Sequence, residues 1–196
     1  MPKIGAEPIR RAALVKAAIA AVGEAGSLDV TVAQIARRAG MSSALAHHYF
    51  GSKDQIFLAA MRQILSDFGA EVRRGLALAG SRRARLGAVI AASFTPVNFQ
   101  PEIIGAWMSF YAMAHSSPEA RRLLVIYQNR LRSTLLHDLR PLIGTRAPAV
   151  AEGVAALIDG MYLRAALAHD APDGDHARDL VLGHLARELT HSRGDA

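Results

Sequence analysis

Thr31-Val-Ala-Gln-Ile-Ala-Arg-Arg-Ala-Gly40-Met-Ser-Ser-Ala-Leu-Ala-His-His-Tyr-Phe50-Gly-Ser-Lys53 reads as two short helices joined by a tight turn, with a further helix starting at its end. Thr31 and Gln34 have capping-box spacing: the threonine oxygen accepts from the residue 34 amide while the glutamine side chain reaches back to residue 31. Val32 and Ile35 give that helix a short apolar face, and Ala36 is small enough for a neighbour to cross closely. Gly40 supplies the left-handed conformation that stops a helix, Met41 is expected to plug the core beneath the turn, and Ser42 caps a second helix over Ser43–Phe50. Gly51 and Ser52 separate it from a long helix beginning at Lys53 or Asp54.

Two short helices in this register form a helix-turn-helix, whose second helix enters the major groove while the first braces it across the backbone. A plain helical hairpin would use the same glycine and serines as punctuation. The matched spacing of the capping box, Ala36, Gly40, Ser42, the Tyr49-Phe50 pair and Lys53 favours the DNA-binding unit. On this reading Leu45 and Tyr49 face inward, and Ser43, Ala44, His47 and His48 approach the duplex. Ala44 suits a thymine methyl and Ser43 a base edge or phosphate, so part of the sequence preference must come from DNA shape. Lys53 pairs with a phosphate, and Lys3, Arg10, Arg11, Arg37 and Arg38 add attraction that falls with salt.

The rest of the 196 residues is consistent with this unit. Hydrophobic types at 51% exclude a disordered chain, and 23 Lys plus Arg against 17 Asp plus Glu give a net charge of +6 that suits a polyanionic partner. The absence of cysteine excludes a disulfide scaffold, thiol catalysis and cysteine-rich zinc modules. No stretch reaches the roughly 18 uncharged apolar residues of a membrane span. Arg10 and Arg11 before an Ala-rich run resemble an export signal, but Lys16 and Glu24 interrupt the run, so a cytoplasmic protein is expected. No convincing period-two strand occurs, and the chain reads as all-α. Breakers place helices near Pro8–Glu24, Thr31–Ala39, Ser43–Phe50, 53–79, Arg82–Phe94, Ile103–His115, Pro118–Pro141, Val150–Ala168 and His176–Thr190, with a turn at Gly144–Pro148 and a fraying tail at Ser192–Ala196.

The pattern T-x-x-x-I-A-x-x-A-G-x-S-x-x-x-x-x-x-Y-F-x-x-K over Thr31–Lys53 resembles the DNA-binding signature of the TetR family of bacterial transcriptional repressors. That resemblance implies an all-helical homodimer on double-stranded operator DNA. Its three-helix reading region would span residues 8–60, and a C-terminal bundle over 61–196 would bind an effector and dimerise, with about nine helices in all. It marks Thr31, Arg37, Ser42, Ser43, Ala44, His47, His48, Tyr49 and Lys53 for DNA binding. The opening Met1-Pro-Lys-Ile-Gly5, Pro8-Ile-Arg-Arg11, Ala33-Gln-Ile-Ala-Arg-Arg-Ala-Gly40, His48-Tyr-Phe50 and Ala156-Leu-Ile-Asp-Gly160 are similar to a choline-responsive branch of the family that controls glycine betaine synthesis and choline uptake. Ala44 stands where the family pattern usually has glycine, and His47 also departs from many members, which leaves the operator sequence open.

Phe94, Phe99, Trp107, Phe110, Tyr111 and Tyr127 lie in one stretch of chain, so a ligand box is expected there. Aromatic faces attract a quaternary ammonium, which has no N–H to donate and is cheap to desolvate. A small-molecule effector of choline type fits, with a polyamine or hydrophobic drug as the alternative. Asn98 or Tyr162 would bond a hydroxyl, and Glu102, Asp138 or Asp159 would supply countercharge, although Asp159 also suits a structural cap or network. The same aromatics would equally serve as plain core. Small residues along Val154–Ala168 and the apolar Leu180, Val181, Leu185 and Leu189 suit a four-helix dimer interface. The histidines, including His169, His176, His184 and His191, lack a fixed-spacing acidic partner, and no phosphate loop, zincin helix or nucleophile elbow is present. Neither an enzyme nor a metal or other cofactor is expected.

Overall fold

The computed structural model describes residues 6–26 and 29–190. The readings placed on Met1–Gly5, among them Lys3, and on His191 and the Ser192–Ala196 tail fall outside the described residues. Among those described, the chain forms α1 (Ala6–Ala25), α2 (Val32–Arg38), α3 (Ser43–Phe50), α4 (Lys53–Leu78), α5 (Arg82–Ser93), α6 (Pro101–Ser116), α7 (Pro118–Ile143), a 3-10 turn (Gly144–Arg146), α8 (Ala147–Leu167) and α9 (Gly174–Thr190). The all-α architecture expected from sequence is what is found.

Most element ends sit where local chemistry puts them. Ser81 accepts from the Ala84 amide at 3.1 Å to start α5, and Asp173 accepts from the His176 amide at 2.9 Å. The aspartate draws the start of α9 back to Gly174, ahead of the expected His176. Pro148, expected in a turn, lies inside the first turn of α8, where a missing N–H costs nothing. Pro141 is tolerated near the end of α7, which runs on to Ile143.

The chain divides into two compact units that do not follow a single cut near residue 60. The first contains the chain up to Leu65 together with Pro101–Arg121. Its core gathers Leu14, Ala18 and Val22 of α1, Ile35 and Ala36 of α2, Ile56, Leu58 and Met61 of α4, and Ile104, Ala106 and Phe110 of α6. Each fully buried large side chain contributes about 1.5–3 kcal/mol. α6 belongs here because its backbone lies against α1: a Cβ at Gly23 would sit 2.3 Å from the Glu102 Cα, and one at Gly105 would sit 3.0 Å from the Gly23 carbonyl oxygen. In the same unit Glu119, in the first turn of α7, accepts from the Gln55 side-chain Nε2 at 2.9 Å and from the Arg62 guanidinium at 3.0 Å. The Gln55 bond and the neighbouring Arg62 hold its carboxyl below the usual carboxylate range.

The second unit comprises Ser66–Gln100 and the chain from Arg122 onward. It is built on Leu86, Val89 and Ile90 of α5, Leu135 and Leu139 of α7, Val154 and Ile158 of α8, and Val181 and Leu185 of α9. Arg146 pairs with Glu188, tying the start of α8 to the end of α9.

Candidate DNA-reading surface and effector site

The turn between α2 and α3 is fixed by a closed set of caps. Thr31 Oγ1 accepts from the Gln34 amide at 3.2 Å, and the Thr31 amide donates to Gln34 Oε1 at 2.7 Å. At the other end of α2 the Gly40 amide donates to the Arg37 carbonyl at 3.1 Å and the Met41 amide to the Ala36 carbonyl at 2.9 Å. This Schellman pattern needs the φ of +69° that Gly40 adopts. Ser42 Oγ then accepts from the Leu45 amide at 3.2 Å, and Ser52 Oγ accepts from the Gln55 amide at 3.2 Å as α4 begins. Thr31 and Ser42 therefore spend their side-chain oxygens on the backbone.

The inward face of α3 differs from the one expected. Its centre is Ala46, fully buried, while Leu45 and Tyr49 are only half-buried at its flanks, and Met41 is likewise partly exposed. A helix of eight residues that packs by an alanine lies close to its neighbour, so larger side chains are pushed to the edges of the contact. Ala44, His47 and His48 are exposed, and Ser43 and Lys53 are half-buried. His47 Nδ1 lies 3.1 Å from the Gly51 carbonyl oxygen. A carbonyl only accepts, so Nδ1 carries the proton. In the neutral ring, Nε2 is then an acceptor suited to the amino group of adenine or cytosine.

Two of the five cations expected to attract phosphate have other work. Arg11 donates to the Tyr49 carbonyl at 2.5 Å, stacks 4.4 Å above the Phe50 ring and lies 3.7 Å from Glu7, so it links α1 to the end of α3. Arg38 makes paired 2.6 Å bonds to Glu24, holding that carboxyl below its ordinary range and joining α1 to α2. Arg10 reaches the Tyr49 hydroxyl at 3.5 Å, and Arg37 is exposed at the end of α2.

The residues expected to hold an effector fall in both units. In the second, Tyr162 packs edge-on against Phe99 with centroids 5.0 Å apart, Phe99 against Phe94 at 5.2 Å, and Phe94 lies 6.2 Å from Tyr162. The Tyr162 hydroxyl reaches the Ser93 carbonyl at 2.6 Å and the Asn98 carbonyl at 3.0 Å, and burial pushes the phenol's ionisation upward. Asn98 is buried and donates to the Ala92 carbonyl at 2.8 Å, so both polar groups hold the loop after α5 in place. In the first unit Trp107 lies 5.9 Å from Phe110 and 5.6 Å from Tyr111. Asp138, named from sequence as a countercharge, is buried beneath Arg85 at 2.9 Å and Arg82 at 3.2 Å, joining α7 to α5. Its charge is met by arginine. A contact that sequence did not flag is Phe68 against Tyr127, edge-on at 5.9 Å; Phe68 lies outside the aromatic-rich stretch, and only folding brings the rings together.

Comparison with known proteins decides what this surface belongs to. Residues 14–60 match the bacterial regulatory proteins of the tetR family, and residues 82–190 match the C-terminal region of BetI-type transcriptional repressors. The HTH-type transcriptional regulator BetI of Brucella melitensis is 48% identical over 191 residues, covering 97% of this chain and 96% of its own. The chain belongs to the BetI-type repressors of the TetR family. The BetI of Rhizobium meliloti is 49% identical over 168 residues, covering 85% of this chain and 83% of its own. The fold is shared with a putative transcriptional regulator from Saccharomonospora viridis crystallised in complex with choline, at TM-score 0.79 and 22% identity, covering 90% of this chain and 95% of that one. It is shared too with a TetR transcription regulator from Haloarcula marismortui, at TM-score 0.81 and 20% identity, covering 92% and 98%. The relatives of this BetI-type chain are transcriptional regulators rather than enzymes. Among its described residues no helix is long and apolar enough to cross a membrane.

Proposed function

We propose that this BetI-type repressor acts in the cytoplasm as a homodimer on a near-palindromic operator of genes for glycine betaine synthesis and choline uptake, and that choline or a related quaternary ammonium releases it. The near-full-length 48% identity to BetI carries the reading. Two features of the chain support it. Its capped α3 turns Ala44, His47 and His48 outward, and rings fill its C-terminal unit around Tyr162. The choline in the crystals of a protein of the same fold is chemically consistent with such rings. The dimer is supported by exposed leucines on the last two helices: Leu163 is 50% exposed and Leu167 75% on α8, and Leu180 is 41% exposed on α9. Apolar surface of that kind is usually covered by a partner.

Paired recognition helices must match half-sites one helical turn apart, about 34–36 Å, so a small change in their separation weakens both contacts together. α4 contributes residues to both compact units and is one continuous helix, which makes it a covalent route for such a change. Release requires only that choline bind the two states unequally.

A mobility-shift titration on the promoter beside the chain's own gene tests this. The expected result is tight binding in dilute buffer that falls steeply with salt, release by saturating choline, and a choline-dependent rise in melting temperature. Unchanged operator affinity and unchanged melting in choline overturn the effector assignment. Release by spermidine or a hydrophobic dye instead moves it to the polyamine or drug class.

A further inference from the structure

α3 ends in a closed pair of hydrogen bonds between two residues. Gly51, at φ +76°, donates its amide to the His47 carbonyl at 2.7 Å, and its own carbonyl oxygen lies 3.1 Å from His47 Nδ1. A β-carbon at Gly51 would meet nothing within 4 Å, so the glycine serves through its left-handed backbone rather than through its size. With the backbone so turned, the carbonyl comes back to the imidazole. Because that oxygen only accepts, the neutral ring carries its proton on Nδ1, and Nε2 keeps its lone pair. α3 packs by the buried Ala46 and leaves His47 exposed. His48 is exposed too, but its ring lies against Tyr49 with centroids 5.5 Å apart, and no bond of this kind fixes its tautomer among the described residues.

We propose that His47 is an amino-group reader: in each half-site its Nε2 accepts from the exocyclic amino group of adenine or cytosine on one strand and rejects guanine or thymine there. This rests on the reading of α3 as the helix that enters the major groove, and it names the base class that one of its side chains selects. In that groove adenine N6 and cytosine N4 are donors, whereas guanine O6 and thymine O4 are acceptors. A lone pair at Nε2 bonds the first two. Against the others it sets two acceptors face to face and leaves both unpaired as water is expelled. A histidine free to exchange tautomers would offer N–H to the keto bases at little cost and would discriminate weakly. Here that exchange breaks the Nδ1–H bond and turns a second lone pair on the Gly51 carbonyl, so the cap of α3 holds the preference.

Binding-site selection from a randomised duplex pool with the full-length protein gives the half-site, and affinities are then measured for every base at each of its positions. One position per half-site is expected to favour both adenine and cytosine over guanine and thymine on the same strand, by about three- to tenfold. At that position, replacing adenine by purine, or cytosine by 2-pyrimidinone, removes only the amino group. The replacement should cost the wild type about three- to tenfold and His47→Ala less than about twofold, with other positions ranked alike by both proteins. A residue that merely shaped α3 would weaken all bases together, so a uniform loss in His47→Ala overturns the proposal. Guanine or thymine as the favoured base at the position that depends on residue 47 overturns it as well, because the ring would then be donating. If His47→Ala does not fold, His47→Phe, which keeps a ring without nitrogens, replaces it under the same expectations. Folded wild-type protein that selects no sequence and ignores its own promoter removes the DNA-reading assignment of α3 and this one with it. A selected half-site in which every position ignores residue 47 removes this one alone.

Discussion

Arg11 illustrates how one side chain can look like a DNA contact and serve another purpose. A cation beside a helix-turn-helix reads the same in sequence whether it faces a phosphate or a carbonyl, and only the 2.5 Å bond to Tyr49 and the stack on Phe50 reveal its partner. Arg11→Ala is therefore expected to lower stability by roughly 1–2 kcal/mol, seen as a lower melting temperature with little change in the salt slope of DNA binding. His47 is the opposite case. Its outward position was legible from helical spacing, but the Nδ1–H bond to Gly51 that orients the ring was not. His47→Ala should weaken operator binding by about tenfold while leaving affinity for unrelated duplex nearly unchanged, measured side by side in one mobility-shift series.

At the scale of elements, the caps of α2 and α3 were legible because each joins residues three apart. The allegiance of α6 was not, since the contact that fixes it joins Gly23 to Glu102 and Gly105 across most of the chain's first half. Nothing near either glycine announces the other. In an ordinary helix, glycine to alanine gains about 0.5–1 kcal/mol. At Gly23 the added carbon would meet backbone at 2.3 Å, which cannot rotate away. Gly23→Ala is thus expected to destabilise by roughly 1–3 kcal/mol in thermal or urea unfolding, the reverse of the usual sign. Glu119 gives these elements a pH signature. Its carboxyl is held low by Gln55 and Arg62, so its stabilising contribution is complete above the unfolded carboxylate pKa and disappears as pH falls through the lower folded value. The tie from α7 to α4 should accordingly be intact at neutrality and open only in acid. A carboxyl-carbon NMR titration that placed Glu119 at or above an ordinary glutamate would contradict this.

At the scale of the molecule, the leucines exposed on α8 and α9 turn the dimer proposal into a simple test. Leu167→Glu should leave the subunit folded, convert it to a monomer in size-exclusion chromatography, and abolish cooperative occupation of paired half-sites. The family, the all-helical class and the reading helix were legible in a run of little more than twenty residues, because a capped hairpin is a local object. The grouping of the aromatic residues was only partly legible, since rings clustered along the chain were sorted by folding into both units, and Phe68 packs on Tyr127 from outside the run. The interrupted first unit has one more implication, for anyone hoping to transplant its DNA specificity. A fragment ending near residue 65 would leave α1 without the helix that lies against Gly23, baring that face of α1. A working chimera must carry two separate pieces of gene, and recombination that swaps sensors downstream of the reading head would have to respect the same seam.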